Sequence, residues 1–295
     1  MQAVEIKGLS FTYSKKTPYE KLALDNIDLS IEEGSFVALI GATGSGKSTL
    51  IQHLNGLIKA QDKKTATVKV AGLDATNKKS LRQLRFKVGL VFQYPEYQLF
   101  ADTVEKDVAF GPKNMKLSKE EIDVRVRRSM ELVGLDYDEF ASRSPFDLSG
   151  GEKRRVAIAG VIAMRPEILV LDEPVAGLDP VGRQEILSLI KKLQKEVSPT
   201  VIIVSHSMDD VAQMADRVVA LADGKIVADG TPKEVFGNRE LVKGIGLEVP
   251  TAARIADKLA AGGVDLGKEI LTLAELEEAL IALRASKHNG GRDNV

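Results

Sequence analysis

The sequence predicts an α/β fold built on a mainly parallel sheet, and three observations carry that prediction. Continuous apolar runs of strand length recur at Phe36 to Ile40, Val88 to Phe92, Ile168 to Leu171 and Val201 to Val204, the pattern of strands buried on both faces. Segments of helical spacing separate them, at Leu50, Ile51, Leu54, Leu57 and Ile58 and again at Ile186, Leu189, Ile190 and Leu193. Strands that alternate with helices make parallel sheets. Between the first run and the first helix lies Gly41-Ala42-Thr43-Gly44-Ser45-Gly46-Lys47-Ser48-Thr49, a G-x-x-x-x-G-K-[ST] loop without a mismatch.

Residues 2 to 35 read as strands, because Ile27, Leu29 and Ile31 alternate with Asp28 and Ser30, and Phe11-Thr12-Tyr13 is aromatic and β-branched. After the loop and its helix come a short strand and turn at Val68 to Gly72, then the strand ending at Gln93. Residues 94 to 164 turn helical, with Thr103 and Ser118 as expected N-caps and Ile122, Val126, Met130 and Val133 on one helix face. This is an inserted helical subdomain. Pro166 ends its last helix, and the strand that follows runs into Asp172-Glu173. The strand after that ends at His206. Ala222-Asp223-Gly224 is a hairpin turn closing the sheet, and Thr231-Pro232-Lys233-Glu234 opens a helix with a capping box. The nucleotide-binding domain is expected to span 1–237, and 238–295 to form a small helical extension. Two helices are expected there, after Pro250-Thr251 and after Thr272, the second presenting Leu273, Leu276, Leu280 and Leu283 as a stripe. Residues 286 to 295 are expected to fray.

Composition narrows the function classes. Lys plus Arg number 41 and Asp plus Glu 42 in 295 residues, so no basic field argues for nucleic acid and no acidic excess for disorder. With no cysteine, a disulfide framework, a thiolate metal site and a cysteine nucleophile are excluded. No run approaches the roughly 18 apolar residues of a membrane span, and the start lacks signal-peptide character. Membrane contact is therefore expected through a partner.

The glycine-rich loop is a nucleotide-triphosphate cradle: its backbone N–H groups surround an anion, Lys47 meets the outer phosphates, and Ser48 can hold Mg²⁺. The helix that follows aims its N-terminus at the same charge. Ligands of open parallel sheets bind at the carboxyl ends of the strands, and those ends carry the cradle, Gln93, Asp172-Glu173 and His206. Asp172 can hold Mg²⁺ or its water, and Glu173 can orient and deprotonate an attacking water. Gln93 can reach the same Mg²⁺ or be only a polar strand terminus. His206 can donate to a γ-phosphate or be structural. Ser149-Gly150-Gly151-Glu152 reads locally as a capping box, and its two glycines also expose N–H groups that could serve another chain's nucleotide.

These residues together resemble the ATP-binding-cassette (ABC) ATPases over roughly residues 2 to 237. The resemblance makes Gly41 to Thr49 the Walker A loop, Gln93 the Q-loop, Leu148 to Glu152 the signature and Ile168 to Glu173 the Walker B strand with its catalytic glutamate. Gly177-Leu178-Asp179 is similar to the D-loop, His206 to the switch histidine, and Tyr13 to the A-loop aromatic that stacks on adenine. ATP and Mg²⁺ are the implied ligands. Glu152 stands where glutamine is common and Ala176 where serine is. Gln93 to Phe100 resembles the segment after the Q-loop in energy-coupling-factor (ECF) transporter ATPases, and Ser14 to Leu22 the second ATPase of their pair. The resemblance implies a second ATPase, paralogue or self, a transmembrane coupling protein, and exchangeable membrane substrate-binding proteins. Importers of this family take up vitamins or metal ions, with the ATPase peripheral on the cytoplasmic face. Tyr97, Leu99 and Phe100 are expected to receive a helix of the coupling protein. A rival reading is a soluble ABC ATPase of DNA repair or translation. Residues 50 to 167 leave no room for the long heptad coiled coil of the repair type, and a single cassette disfavours the translation type.

Overall fold

The computed structural model describes residues 1–61, 66–267 and 269–289. Two sheets form, one antiparallel and one mainly parallel. Long alternating strands β1 (Gln2–Tyr13) and β2 (Lys21–Glu32) pair antiparallel, followed by β3 (Phe36–Ile40). Then come β4 (Thr67–Val70), β5 (Leu73–Asp74) and β6 (Val88–Val91). The remaining strands are β7 (Ile168–Asp172), β8 (Thr200–Val204), β9 (Arg217–Ala222) and β10 (Lys225–Gly230). The first sheet has the order β2-β1-β4-β5, the second β10-β9-β3-β8-β7-β6. In the second, every neighbouring pair is parallel except the β9–β10 hairpin.

The apolar runs form central strands because both faces are covered. Phe36, Ala38 and Ile40 of β3 face one core cluster, shared with the helical subdomain, while Val37 and Leu39 face another, shared with Val4, Ile6 and Leu9 of the antiparallel sheet. Leu169 and Leu171 alternate with Ile168 and Val170 in β7 the same way. Each of the larger side chains among these contributes about 1.5–3 kcal/mol by burial, which holds the strand ends, and the polar residues just beyond them, in fixed register.

The helical subdomain begins with a 3₁₀ turn, Pro95–Gln98, and contains the helices Lys119–Leu132 and Gly150–Ile162. Thr103 and Ser118 cap as expected, accepting from the N–H groups of Lys106 and Glu121. The helix after the phosphate loop is shorter than its spacing suggests. It spans Lys47–Leu54 and stops where Gly56 turns left-handed, leaving Leu57 half exposed.

Beyond residue 237, Val242, Val249, Ala253 and Leu271 pack into the same core cluster as the helical subdomain. The helices Thr251–Ala261 and Leu273–Asn289 follow the expected pair of starts. Their contact corrects the leucine stripe. Leu276 and Ala279 pack against Ala252 and Ile270, whereas Leu273 and Leu280 are exposed. Small alanines on the facing helix, Ala252 and Ala256, pack with Leu276 and the short Ala279, which leaves Leu273 and Leu280 on the outward side. The fraying expected from residue 286 is not seen as far as Asn289, where the helix still runs, and 290–295 lies outside the described residues. No helix among the described residues is long and apolar enough to cross a membrane.

Candidate nucleotide site

β3 delivers the chain into the phosphate loop, and the loop fits against β2 so closely that one position admits only glycine. Gly46 has φ 109°, and a Cβ there would stand 2.5 Å from the Ala23 carbonyl oxygen. Lys47 opens the following helix and is 5 % exposed. Its ammonium donates to the carbonyls of Gly41 at 2.7 Å and Ala42 at 3.0 Å and lies 3.5 Å from Ser45 Oγ. Among the described residues no carboxylate pairs with it at ion-pair distance. Burial pushes its pKa down, against the pull of Glu173 and Asp172. A buried cation held only by neutral oxygens suits an anion that arrives from outside.

Asp172 ends β7 and is buried. Burial raises its pKa above the usual carboxylate range, the neighbouring Glu173 charge adds to this, and the hydrogen bond from the Ser48 hydroxyl, Lys47 and His206 oppose it. No cluster of three or more His, Cys, Asp or Glu among the described residues could hold a metal ion by itself. Mg²⁺ commonly binds through one or two carboxylates plus phosphate oxygens and water rather than an all-protein cage, so one carboxylate and one hydroxyl beside a phosphate cradle fit it.

Glu173 is the junction of the strand-end residues. Its Oε2 accepts from the Gln93 amide at 3.1 Å, and its Oε1 lies 2.9 Å from His206 Nε2. Gln93, Glu173 and His206 follow three adjacent strands, β6, β7 and β8, which is why residues 80 and 33 positions apart converge. Glu173 takes a left-handed φ of 49°, and its N–H donates to the Val204 carbonyl at 3.0 Å. A non-glycine residue rarely adopts this conformation without support; the β8 carbonyl and two side chains supply it.

A cavity of about 150 Å³ lies over the loop, lined by Tyr13, Lys21, Ala23, Gly44, Gly46, Lys47, Ser48 and Thr49. Tyr13 is 40 % exposed, its hydroxyl 3.1 Å from Thr49 Oγ1 and its ring edge-on to Phe11. Ala42, Thr43 and Ser45 complete the loop without lining the cavity. Lys21 lies outside the phosphate-loop pattern yet lines the cavity.

The signature residues sit elsewhere. Ser149 caps the helix Gly150–Ile162 and Glu152 closes the capping box, with Ser149 N–H donating to Glu152 Oε2 at 2.8 Å. Those backbone and side-chain hydrogen bonds hold the Glu152 carboxyl below the usual range. A Cβ at Gly150 or Gly151 would meet nothing within 4 Å. Neither residue is needed as glycine by its own chain's packing. Asp179 caps the helix Pro180–Glu196, accepting from Val181 and Gly182 N–H at 2.9 Å each. Neither group lines the cavity at the phosphate loop.

Arg154 is a further residue that motif reading overlooks. Almost fully buried in the helix Gly150–Ile162, it donates to Glu96 through Nε at 3.1 Å and Nη2 at 3.0 Å, and through Nη1 to the carbonyls of Pro174 and Ala176 at 3.1 and 3.0 Å. One guanidinium joins the signature helix, the turn after Gln93, and the segment after Glu173.

Comparison with known proteins bears on this arrangement. Residues 24–176 match the family model described as ABC transporter. An energy-coupling factor transporter ATP-binding protein EcfA2 of Clostridium perfringens (strain 13 / Type A) is 54 % identical over 95 % of this chain and 98 % of its own length. The chain is an ABC transporter ATPase of the energy-coupling factor family. The EcfA2 protein of Enterococcus faecalis (strain ATCC 700802 / V583) is 49 % identical over 94 % of this chain and 96 % of its own. Among solved structures, cbiO1 of Clostridium perfringens, described as part of the ABC transporter complex cbiONQ, superposes with TM-score 0.72 and 37 % identity, covering 88 % of this chain and 99 % of that one. The cassette MJ0796, as a dimer in a post-hydrolysis state bound to ADP and Pi, gives TM-score 0.67 at 31 % identity over 78 % of this chain and 98 % of that one. ABC ATPases use ATP with Mg²⁺. The near-full-length relatives are transporter subunits, and the reading as a repair or translation ATPase is not favoured.

Proposed function

We propose that this chain is the ATP-binding and ATP-hydrolysing subunit of an ECF-type importer, powering uptake of vitamins or transition-metal ions. The observation that carries the reading is the Glu173 carboxylate, held between Gln93 and His206 at the strand ends that bear the phosphate loop. Domain 1–237 performs the ATP chemistry, and 238–295 is an extension that contributes to subunit contact.

Lys47 exchanges its carbonyl partners for the outer phosphate oxygens. Ser48 and Asp172, with Gln93 close by, would hold Mg²⁺, which when bound draws charge from the β- and γ-phosphates. Glu173 orients a water and takes its proton as the water oxygen bonds to the γ-phosphorus. The bond to the β–γ bridging oxygen breaks, leaving ADP and phosphate. Each Glu173 oxygen makes one contact in this chain, with Gln93 and with His206, and keeps a lone pair able to accept from the attacking water. His206, released towards the phosphate, donates to a γ-oxygen. Tyr13 stacks on the adenine.

Ser149, Gly150 and Gly151 present open backbone at a helix start and serve the nucleotide of a second ATPase, a paralogue or a second copy, as does Asp179. A transmembrane coupling protein carrying exchangeable substrate-binding membrane proteins receives the work, which places the chain peripherally on the cytoplasmic face. Its docking groove, of about 960 Å³, includes Leu81, Phe86, Leu99, Phe100, Phe110 and Met164. Leu99 and Phe100 line the groove, Leu99 also packing in the core, and Tyr97 stands 84 % exposed beside the Tyr94 ring.

Lys47→Ala is expected to weaken ATP binding at least tenfold, whereas Glu173→Gln keeps binding and loses Mg²⁺-dependent phosphate release by about 10²-fold or more. Equilibrium binding and phosphate release measured on both variants check this. Equal loss of nucleotide affinity in the two would overturn the division of roles.

A further inference from the structure

The β1–β2 hairpin brings to the nucleotide site a cation that the phosphate-loop pattern does not contain. Tyr13, the last residue of β1, is paired with Lys21, the first residue of β2. Directly opposed residues of antiparallel strands project to the same face, and so does the residue two further along. Tyr13, Lys21 and Ala23 accordingly form one side of the cavity whose other side is Gly44, Gly46, Lys47, Ser48 and Thr49. The Lys21 ammonium reaches across to the loop, 3.7 Å from the point a Cβ on Gly44 would occupy.

Among the described residues no carboxylate forms an ion pair with Lys21. The adjacent Glu20 is turned away, its Oε2 accepting from the Lys16 N–H at 2.7 Å. Further along β2 the pattern is different: Asp25 pairs with Lys225 at 3.2 Å. Lys21 and Lys47 therefore border one small cavity, the first from solvent and the second from the buried side, with no acid among the described residues that line it. Two like charges converging on a space bounded by loop N–H groups favour an anion carrying several charges.

We propose that Lys21 is a second phosphate-binding cation of the nucleotide site, gripping the polyphosphate from the solvent side below a base stacked on Tyr13. The inference rests on the nucleotide-site reading above and adds to it a ligand outside the loop. Because the contact is exposed, its strength depends on ionic strength, unlike that of the buried Lys47.

The test is equilibrium binding of ATP and ADP to the full chain by calorimetry, for wild type, Lys21→Gln, Lys21→Arg and Lys47→Ala, at about 50 mM and about 500 mM salt. Lys21→Gln is expected to bind both nucleotides roughly three- to tenfold more weakly at low salt, with the deficit shrinking at high salt and Lys21→Arg restoring affinity. Unchanged ATP affinity in Lys21→Gln, a loss of equal size at both salt concentrations, or a loss that arginine does not restore would each overturn the proposal. If Lys47→Ala also leaves ATP binding intact, the nucleotide-site reading itself fails. If Lys47→Ala removes binding and Lys21→Gln does not, only the role of Lys21 falls.

Discussion

At the scale of the residue, His53 is expected to make fold stability depend on pH. It lies almost wholly buried one turn below Thr49, with Nδ1 2.7 Å from the Thr49 carbonyl, its ring edge-on to Phe11, and Nε2 buried without a partner. The carbonyl requires Nδ1 to carry the proton, which leaves Nε2 as a bare acceptor in neutral imidazole. Burial lowers its pKa below the ordinary value of 6.5, with the Thr49 carbonyl opposing. The unfolded chain therefore binds this proton more readily than the folded chain. Stability contributed by the neutral ring is full above pH 6.5 and declines as pH falls from there towards the lower folded value. Urea unfolding of wild type should show a falling midpoint over that interval, and His53→Asn, whose amide can still donate to Thr49, should show a shallower fall. Identical pH dependence in the two would remove His53 as the source.

At the scale of the element, Arg154 ties three segments that sequence keeps apart. Its bidentate bond to Glu96 spans 58 positions, and its carbonyl bonds to Pro174 and Ala176 reach the chain just after Glu173. Arg154→Met would leave Glu96 and two carbonyls without their donor, and should cost about 3–5 kcal/mol of stability. Arg154→Lys should recover only part, since a point charge cannot fork to carboxylate and carbonyls together. Unfolding midpoints measure both, and an unshifted midpoint in Arg154→Met would show the bridge to be idle. The same bonds show where sequence reading stops. Gln93, Asp172, Glu173 and His206 are legible because each stands just past an apolar run, and parallel strands bring such ends together. Arg154 looks like one of several basic residues in a helix, and nothing in local periodicity marks the one that turns inward. Lys21 is hidden for a related reason: its pairing with Tyr13 depends on the register across an irregular hairpin. In the tail, periodicity finds the helix Leu273–Asn289 but not its buried face, which the alanines of the facing helix select.

At the scale of the whole molecule, the groove between the β6 side of the sheet and the helical subdomain is the place where nucleotide state could act on another protein. Gln93 contacts Glu173, and Tyr94 leads into the 3₁₀ turn Pro95–Gln98, so Leu99 and Phe100 follow within seven residues of the partner of the Glu173 carboxylate. Glu96 in that turn is anchored to Arg154 of the helix Gly150–Ile162, so the turn and that helix are mechanically joined. Leu99 is 9 % exposed and belongs to the core, whereas Phe100 is 59 % exposed and stacks edge-on with Phe110 at 4.9 Å. A charge at Leu99 would test folding as much as docking; a charge at Phe100 tests docking alone. Exposed aromatics in a groove are the side chains that anchor an inserted helix, and losing one such anchor at the centre of a contact typically costs about 2–4 kcal/mol. Phe100→Glu should therefore fold, bind ATP with wild-type affinity, and separate from the membrane partner, read as loss of the ATPase from washed membranes and loss of ATP-driven uptake. Wild-type membrane retention and transport in this variant would exclude Phe100 as an anchor, and loss of ATP binding would move it from the docking surface into the fold.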